Sequence, residues 1–281
     1  MSQPSTFMAR ALSHRSFVIG TSLSLLLLLA AALSLVWTPW SAYEIEMSAK
    51  LQLPDVHHWL GTDPFGRDVA SLLLVGARNS ILVGVIAVGI GLTIGTTLGL
   101  LAAARRGWAE ELIMRLADFT FAFPAILSAI MMTAVFGAGI VNSIIAIGIF
   151  NIPTFARITR ASANAIWSRE FVLAARACGK GPWRITVEHV LPNILSVLIV
   201  QATIQFALAI LAEAALSYLG LGTQPPQPSW GRMLAEAQTL MFQAPQLAVF
   251  PGLAIALAVL GLNLAGDGLR DLLDPRLARK R

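Results

Sequence analysis

Charged residues are scarce in this 281-residue chain: they make up 12% of it, against roughly 25% in an ordinary soluble domain. The deficit is concentrated in a few long uncharged stretches. That pattern argues against an ordinary globular fold, because a bilayer-spanning helix needs about 20 apolar residues to cross roughly 30 Å of hydrocarbon. Cysteine is nearly absent. Cys178 stands alone, so no intrachain disulfide can form and nothing points to an oxidised scaffold. A phosphate-cradling loop is missing as well. The only Gly-Lys pair, Gly179-Lys180, is followed by Gly181 instead of Ser or Thr, and Ala174 stands where the first glycine should be. No HExxH, CxxC or GxSxG pattern occurs, which leaves a membrane hydrolase without support. There is no internal repeat and no low-complexity tail.

What is present is hydrophobic: 56% of residues, with a mean hydropathy of +0.72. The uncharged runs predict an all-α, polytopic transmembrane bundle of about six helices in a single domain. The spans fall approximately at residues 17–37, 80–104, 116–136, 140–157, 191–217 and 247–266. Gly137-Ala138-Gly139 divides the third from the fourth as a tight hairpin. The first run follows Arg10 and Arg15, as a signal peptide would. Its length and the interfacial Trp37 and Trp40 favour a retained helix instead. A net charge of +5 reads here as loop anchoring rather than nucleic-acid binding. With both termini inside, sixteen of the twenty basic residues fall on the cytoplasmic side, among them Arg276, Arg279, Lys280 and Arg281. That bias predicts an N-in, C-in topology.

Three stretches outside the spans are long enough to carry function. The cytoplasmic one, approximately residues 158–190, predicts a helix over 169–178 with Ser168 as its N-cap and Gly179 in the left-handed position that ends it. Pro182 and a second short helix over 183–189 follow. The small Ala174, Ala175 and Ala177 let a partner surface approach closely. On chemistry alone this is either a docking element or a solvated, orientation-setting loop. Two acids lie in or beside the spans, Asp118 and Glu213. Charge in hydrocarbon costs about 2.5 kcal/mol or more, so such residues face a bundle interior or a cavity. Arg115 is the expected partner of Asp118. Glu213 either lines a translocation path or pairs with an arginine such as Arg232. Gly91, Gly95 and Gly99 recur every four residues and predict close helix–helix packing. In the first outer loop Asp63, Arg67 and Asp68 cluster between glycines that include Gly66, either as a self-satisfied turn or as support for a docking partner. The adjacent His57 and His58 make at most a partial metal site, since His14 and His189 fall across the membrane, so no metal site is expected.

The cytoplasmic stretch also carries a resemblance. Leu173-Ala174-Ala175, three residues, Gly179, nine residues, then His189-Val190-Leu191-Pro192 resembles the EAA loop of ATP-binding-cassette (ABC) importer permeases, EAA-x3-G-x9-I-x-LP. Leu173 replaces the motif's Glu and His189 its Ile. The surrounding string, from Phe171 to Asn193, is similar to the C-type subunit of the dipeptide, oligopeptide and nickel permeases. His58 to Asp68, including LGTDPFGRD, resembles that family's first outer-loop signature. Ser217 to Gly222 with Pro228-Ser229-Trp230-Gly231 resembles its second, and Asn263 to Asp271 with Asp274-Pro275 its C-terminal one.

The resemblance implies a permease subunit of the bacterial cytoplasmic (inner) membrane. In that family residues Leu173, Ala174, Ala175, Arg176, Gly179, His189, Leu191 and Pro192 would form the element that seats in an ATPase. Asp63, Gly66, Arg67, Asp68 and Trp230 would serve the outer face, where a binding protein docks. The implied partners are a second, homologous permease, two ABC ATPase subunits, an extracytoplasmic solute-binding protein and membrane lipid, with no nucleic acid. ATP and Mg would sit on the ATPases, leaving this chain without a cofactor and without a catalytic residue. The implied cargo is peptide first, then a glycoconjugate or opine-like compound, then a nickel complex. A membrane scaffold, a receptor and an exporter are the competing classes.

Overall fold

The structure, a computed structural model, describes residues 7–273. Asp274, Pro275 and the basic residues Arg276, Arg279, Lys280 and Arg281 lie outside the described residues. A short helix α1 (Phe7–Ser13) leads into α2 (Arg15–Leu33), whose first turn is capped by His14 Nδ1 accepting the Phe17 N–H at 3.3 Å. Helix α3 (Val69–Ile90) starts where Asp68 accepts the Ser71 N–H at 2.8 Å, a normal N-cap. It continues through a π-helical turn, Gly91–Gly95, into α4 (Thr96–Ala104), forming one rod of 36 residues. The rod therefore begins at Val69 and not near residue 80. Arg78 ends the uncharged run, yet the cap that starts the helix lies upstream of it.

Where the sequence suggests one helix over 116–136, the chain makes two. Helices α5 (Trp108–Ala122) and α6 (Ala125–Phe136) meet at 84°. Pro124 disfavours helical backbone in the residue before it, and Phe123 is accordingly extended, at φ −100° and ψ 135°. The expected hairpin follows, with Gly137 at φ +100° and Gly139 at φ +153°, values that L side chains rarely adopt. Helix α7 (Ile140–Trp167) runs well past residue 157, because its arginines find carboxylate partners on α5. Helices α8 (Glu170–Ala177) and α9 (Pro182–Ile185) follow. A second π-helical turn, Thr186–Val190, joins α9 without interruption to α10 (Leu191–Tyr218). An outer helix α11 (Trp230–Ala237) and the long α12 (Gln246–Leu273) complete the fold. The described residues form no β-strand; their only extended pairing is the bridge between Thr62 and Asp68. Five helices are long and apolar enough to cross a membrane, six if the bent α5–α6 pair counts as one span.

Lipid tails are as apolar as leucine, so the helices are held by close van der Waals contact at small residues. Gly20 of α2 lies on the Leu264–Ala265 backbone of α12, and Gly261 of α12 lies on Leu23. The glycine stripe of the rod packs against α7 within this chain. Gly91 meets Asn151, while a Cβ on Gly95 would come 2.5 Å from the Ile152 carbonyl, and one on Gly99 2.5 Å from that of Ala156. Helix α10 crosses the middle of the bundle, burying Ile194, Leu198 and Ile210.

Candidate functional site

The cytoplasmic hairpin is built from short-range chemistry. Helix α8 ends in a Schellman motif: the Gly179 N–H donates to Arg176 O at 2.9 Å and the Lys180 N–H to Ala175 O at 3.1 Å, with Gly179 at φ +81°. Arg169 occupies the N-cap position expected for Ser168, whose hydroxyl instead bonds back to Ala165 O at 3.1 Å. Pro182 opens α9 at a position where its missing N–H costs nothing. The expected second short helix does not end at residue 189; it flows on into α10. Val172 and Ala175 face inward, while Leu173, Ala174, Arg176 and Gly179 are exposed, as are Phe171 and Trp183. Trp183 is 70% exposed. His189, in place of the motif's Ile, closes the hairpin: its Nε2 lies 3.1 Å from Lys180 Nζ, and its ring meets Phe171 edge-on at 6.3 Å. Leu191 packs against the core, and Pro192 is exposed beside it. Glu188 binds both Lys180 and Arg184, at 2.5 Å each, which fixes the base of the hairpin.

The two intramembrane acids take different surroundings. Asp118 is more than half exposed and pairs with Arg157 of α7, not with Arg115, which binds Glu111 at 3.3 Å. Arg157 also lies over the Phe121 ring at 4.3 Å. Glu213 is buried, 1% exposed, and among the described residues its carboxyl pairs with no cation. Arg232 binds Glu236 instead, at 2.9 Å. Three hydroxyls donate to the Glu213 carboxyl: Ser80 at 2.9 Å from α3, Ser217 at 2.6 Å from α10, and Thr223 at 3.3 Å from the outer loop. The Thr223 N–H in turn donates to Ser217 Oγ at 2.9 Å. Burial of a carboxyl is tolerable where hydrogen bonds surround it, and this one ties two helices to a loop.

The outer charged cluster is turned inward. Asp63 accepts the Phe65 and Arg67 N–H groups at 2.8 Å and the Arg67 guanidinium at 2.6 Å. Arg67 reaches on to Glu236 of α11 at 2.9 Å. Gly66 lies against Glu46 at φ +76°. Asp68 caps α3 and binds the His58 ring at 3.0 Å, so His58 is engaged with a carboxylate. Among the described residues no group of histidines, cysteines and acids could hold a metal. Trp230 is 2% exposed; its indole N–H donates to Leu73 O at 3.1 Å and its ring lies on Gly76. These residues thus hold the cap together from beneath. Leu53, Val56 and Phe242 are among the apolar side chains that the outer segments leave exposed.

One feature of the bundle has no counterpart among the acids and motifs of the sequence. A cavity of about 340 Å³ opens between α6, α7 and α10, with Asn151, Thr154 and Gln205 on an otherwise apolar wall. The signal was available, since Asn151 and Gln205 are amides inside long apolar runs. Attention to charge alone passes over them.

A polytopic bundle with a cavity between its helices and a structured hairpin projecting from two of them has the architecture of the membrane-embedded subunit of a transporter. Residues 95–279 match the family of binding-protein-dependent transport system inner membrane components, and the chain belongs to that family. It is the transmembrane permease subunit of an ABC importer, a multi-pass protein of the bacterial inner membrane and not an enzyme. It is 42% identical over 276 residues to the glutathione transport system permease protein GsiD of Pectobacterium atrosepticum, covering 95% of this chain and 90% of that one. It is 44% identical over 260 residues to the dipeptide transport system permease protein DppC of Alkalihalophilus pseudofirmus, covering 92% and 86%. The fold is similar to an inward-facing structure of the MetNI methionine ABC transporter. The TM-score is 0.60 at 20% identity, over 72% of this chain and 97% of that one.

Proposed function

We propose that this chain pairs with a second, similar permease to enclose a path for short peptides. Two ABC ATPases dock on α8 and α9, and an extracytoplasmic binding protein delivers cargo to the outer cap. ATP and Mg are held by the ATPases, and this chain binds no cofactor. The observation that carries the reading is the hairpin itself. It is rigidly closed by the Schellman turn and by His189, yet leaves Phe171, Leu173 and Trp183 uncovered at the ends of α7 and α10. Exposed apolar groups on a structured element mark a contact surface for another protein. The peptide cargo is supported by the relatives' substrates, glutathione and dipeptide. The N-in, C-in orientation follows from the basic residues of the inner segments.

The test is co-purification in detergent of this chain with the proteins encoded beside it, followed by ATPase assay with and without Gly179→Trp and Leu173→Glu. Two nucleotide-binding subunits should co-purify, and either substitution should release or uncouple them. Recovery of the chain without an ATPase, or a complex indifferent to both substitutions, would sink the reading.

A further inference from the structure

We propose that the cavity between α6, α7 and α10 is a cargo-contact subsite, in which Asn151, Thr154 and Gln205 hydrogen-bond the main-chain amides of a short peptide in transit. The proposal rests on the importer reading above. Its first support is depth. The outer ends of α7 and α10 are held together, the Gly139 N–H donating to Leu221 O at 3.1 Å. Counted from there at about 1.5 Å per residue, Asn151 is about 16 Å in from Ile140 and Gln205 about 20 Å in from Tyr218. Both therefore lie near the middle of a hydrocarbon layer roughly 30 Å thick.

The second support is the cost of these groups. An amide buried in hydrocarbon without a partner is disfavoured by several kcal/mol. Asn151 is 7% exposed and Gln205 8%, and Asn151 Nδ2 is buried without a hydrogen-bond partner among the described residues. A donor left open beside a cavity fits a ligand that arrives and leaves.

The backbone adds to this. The break at Phe123–Pro124 places the first turn of α6, with Ala125 and Ile126, on the same cavity, and no side chain caps that helix. Irregular backbone at membrane depth is tolerated where it is covered by protein or lines a cavity, and interrupted helices recur at transporter binding sites. The lining holds no Asp, Glu, Lys or Arg. Neutral donors and acceptors match the repeating amide of a peptide whatever its side chains, and they lack the charge that would trap one sequence. The volume falls in the usual range for small-ligand pockets, about 300–1,000 Å³.

The experiment uses the full complex in proteoliposomes, with radiolabelled dialanine and glutathione as probes. A photoreactive benzoylphenylalanine replaces Leu208, which lines the cavity and is 53% exposed. ATP-dependent cross-linking of this chain to a probe is expected. Uptake should fall about tenfold in Gln205→Leu, the effect of roughly one lost hydrogen bond, and measurably in the nearly isosteric Thr154→Val. Each variant complex should keep its subunit composition on size exclusion. If Leu208 cross-links only to the neighbouring permease while both variants import normally, the cavity is packing space and the subsite is refuted, leaving the importer reading intact. If the wild-type complex imports neither probe and its ATPase ignores the loaded binding protein, both readings fall together.

Discussion

Replacing Glu213 with leucine removes the acceptor from three hydroxyls at once. Ser80 and Ser217 are fully buried and Thr223 is 1% exposed, so water cannot replace the lost partner. A stranded buried hydroxyl costs about 1–3 kcal/mol. The serines sit in helices, where a hydroxyl can turn to the carbonyl one turn back and recover part of that cost. The expected loss is therefore about 2–5 kcal/mol in total, with Thr223 freed from the bundle first. Glu213→Gln keeps the shape and one acceptor oxygen, and its amide can donate to Ser80 Oγ, so its cost should stay within about 1 kcal/mol. At about 2–4 °C per kcal/mol for a chain of this size, the leucine variant should melt roughly 5–15 °C lower and the glutamine variant less than about 4 °C lower. The measurement is thermal denaturation of the detergent-purified protein, followed by size exclusion at one heating rate, because unfolding of such proteins is commonly irreversible. A leucine variant as stable as wild type would show that the network ties nothing together. Equal losses for leucine and glutamine would show that an amide cannot stand in for the carboxyl in this network.

Three further outcomes are expected. Gly95→Leu forces atoms into a space where even a Cβ meets the Ile152 carbonyl at 2.5 Å; it should destabilise the α4–α7 contact by about 1–3 kcal/mol or more, read as a lower melting point that Gly89→Leu, at an open position, does not show. Trp230→Ala should cost about 3–5 kcal/mol and open the outer cap, measured as faster proteolysis of residues 38–68 in right-side-out vesicles. The Asp118–Arg157 pair is about half exposed, so a double-mutant cycle on Asp118→Asn and Arg157→Gln should give a coupling below about 1 kcal/mol.

The bundle was legible because hydrocarbon imposes a single rule, an uninterrupted apolar run for each crossing. The same rule misplaced several ends, since it stops at charge and helices do not. Arg78 hid the start of α3, and Arg157 and Arg160 hid the last turns of α7, where each finds a carboxylate on α5. The break at Pro124 was readable from the residue itself but lay inside an apolar run that otherwise fits one crossing. The hairpin's turn was legible from Gly179, because only a residue tolerant of positive φ closes a helix that way. At the outer cap the residue types were found, while the choice between a self-satisfied turn and support for a docking partner stayed open. Asp63, Asp68 and Trp230 point inward because their partners, Arg67, Ser71 and Leu73, come from the neighbouring turn and helix. Sequence spacing alone does not distinguish a carboxylate that caps a helix from one that meets a partner.

The continuity of α9 with α10 constrains how the proposed docking element can act. From Pro182 to Tyr218 the chain is one helical segment of 37 residues, about 55 Å long. It carries the hairpin contact of His189 at one end, Gln205 near its middle, and Glu213 with its hydroxyl network toward the other. A force on α8 reaches this rod through the contact of Phe171 with His189, and through Lys180 of the turn that joins α8 to α9. The π-helical turn Thr186–Val190 lies on this path, and a second, Gly91–Gly95, lies on the rod of α3 and α4; such turns are where helices adjust register at functional sites. The second lies where Gly91 meets Asn151. A tilt of α10 would therefore alter the cavity wall at Gln205 directly, whereas Asn151 would respond only if α7 moved against the glycine stripe. Prising the stripe apart with Gly95→Ala, which sets a Cβ 2.5 Å from the Ile152 carbonyl, should then change the response of the Asn151 side and leave that of the Gln205 side as it was. If electron paramagnetic resonance between spin labels on α7 and α10 shows the same distance change on ATP binding with and without that substitution, α7 is a passive scaffold and α10 moves alone.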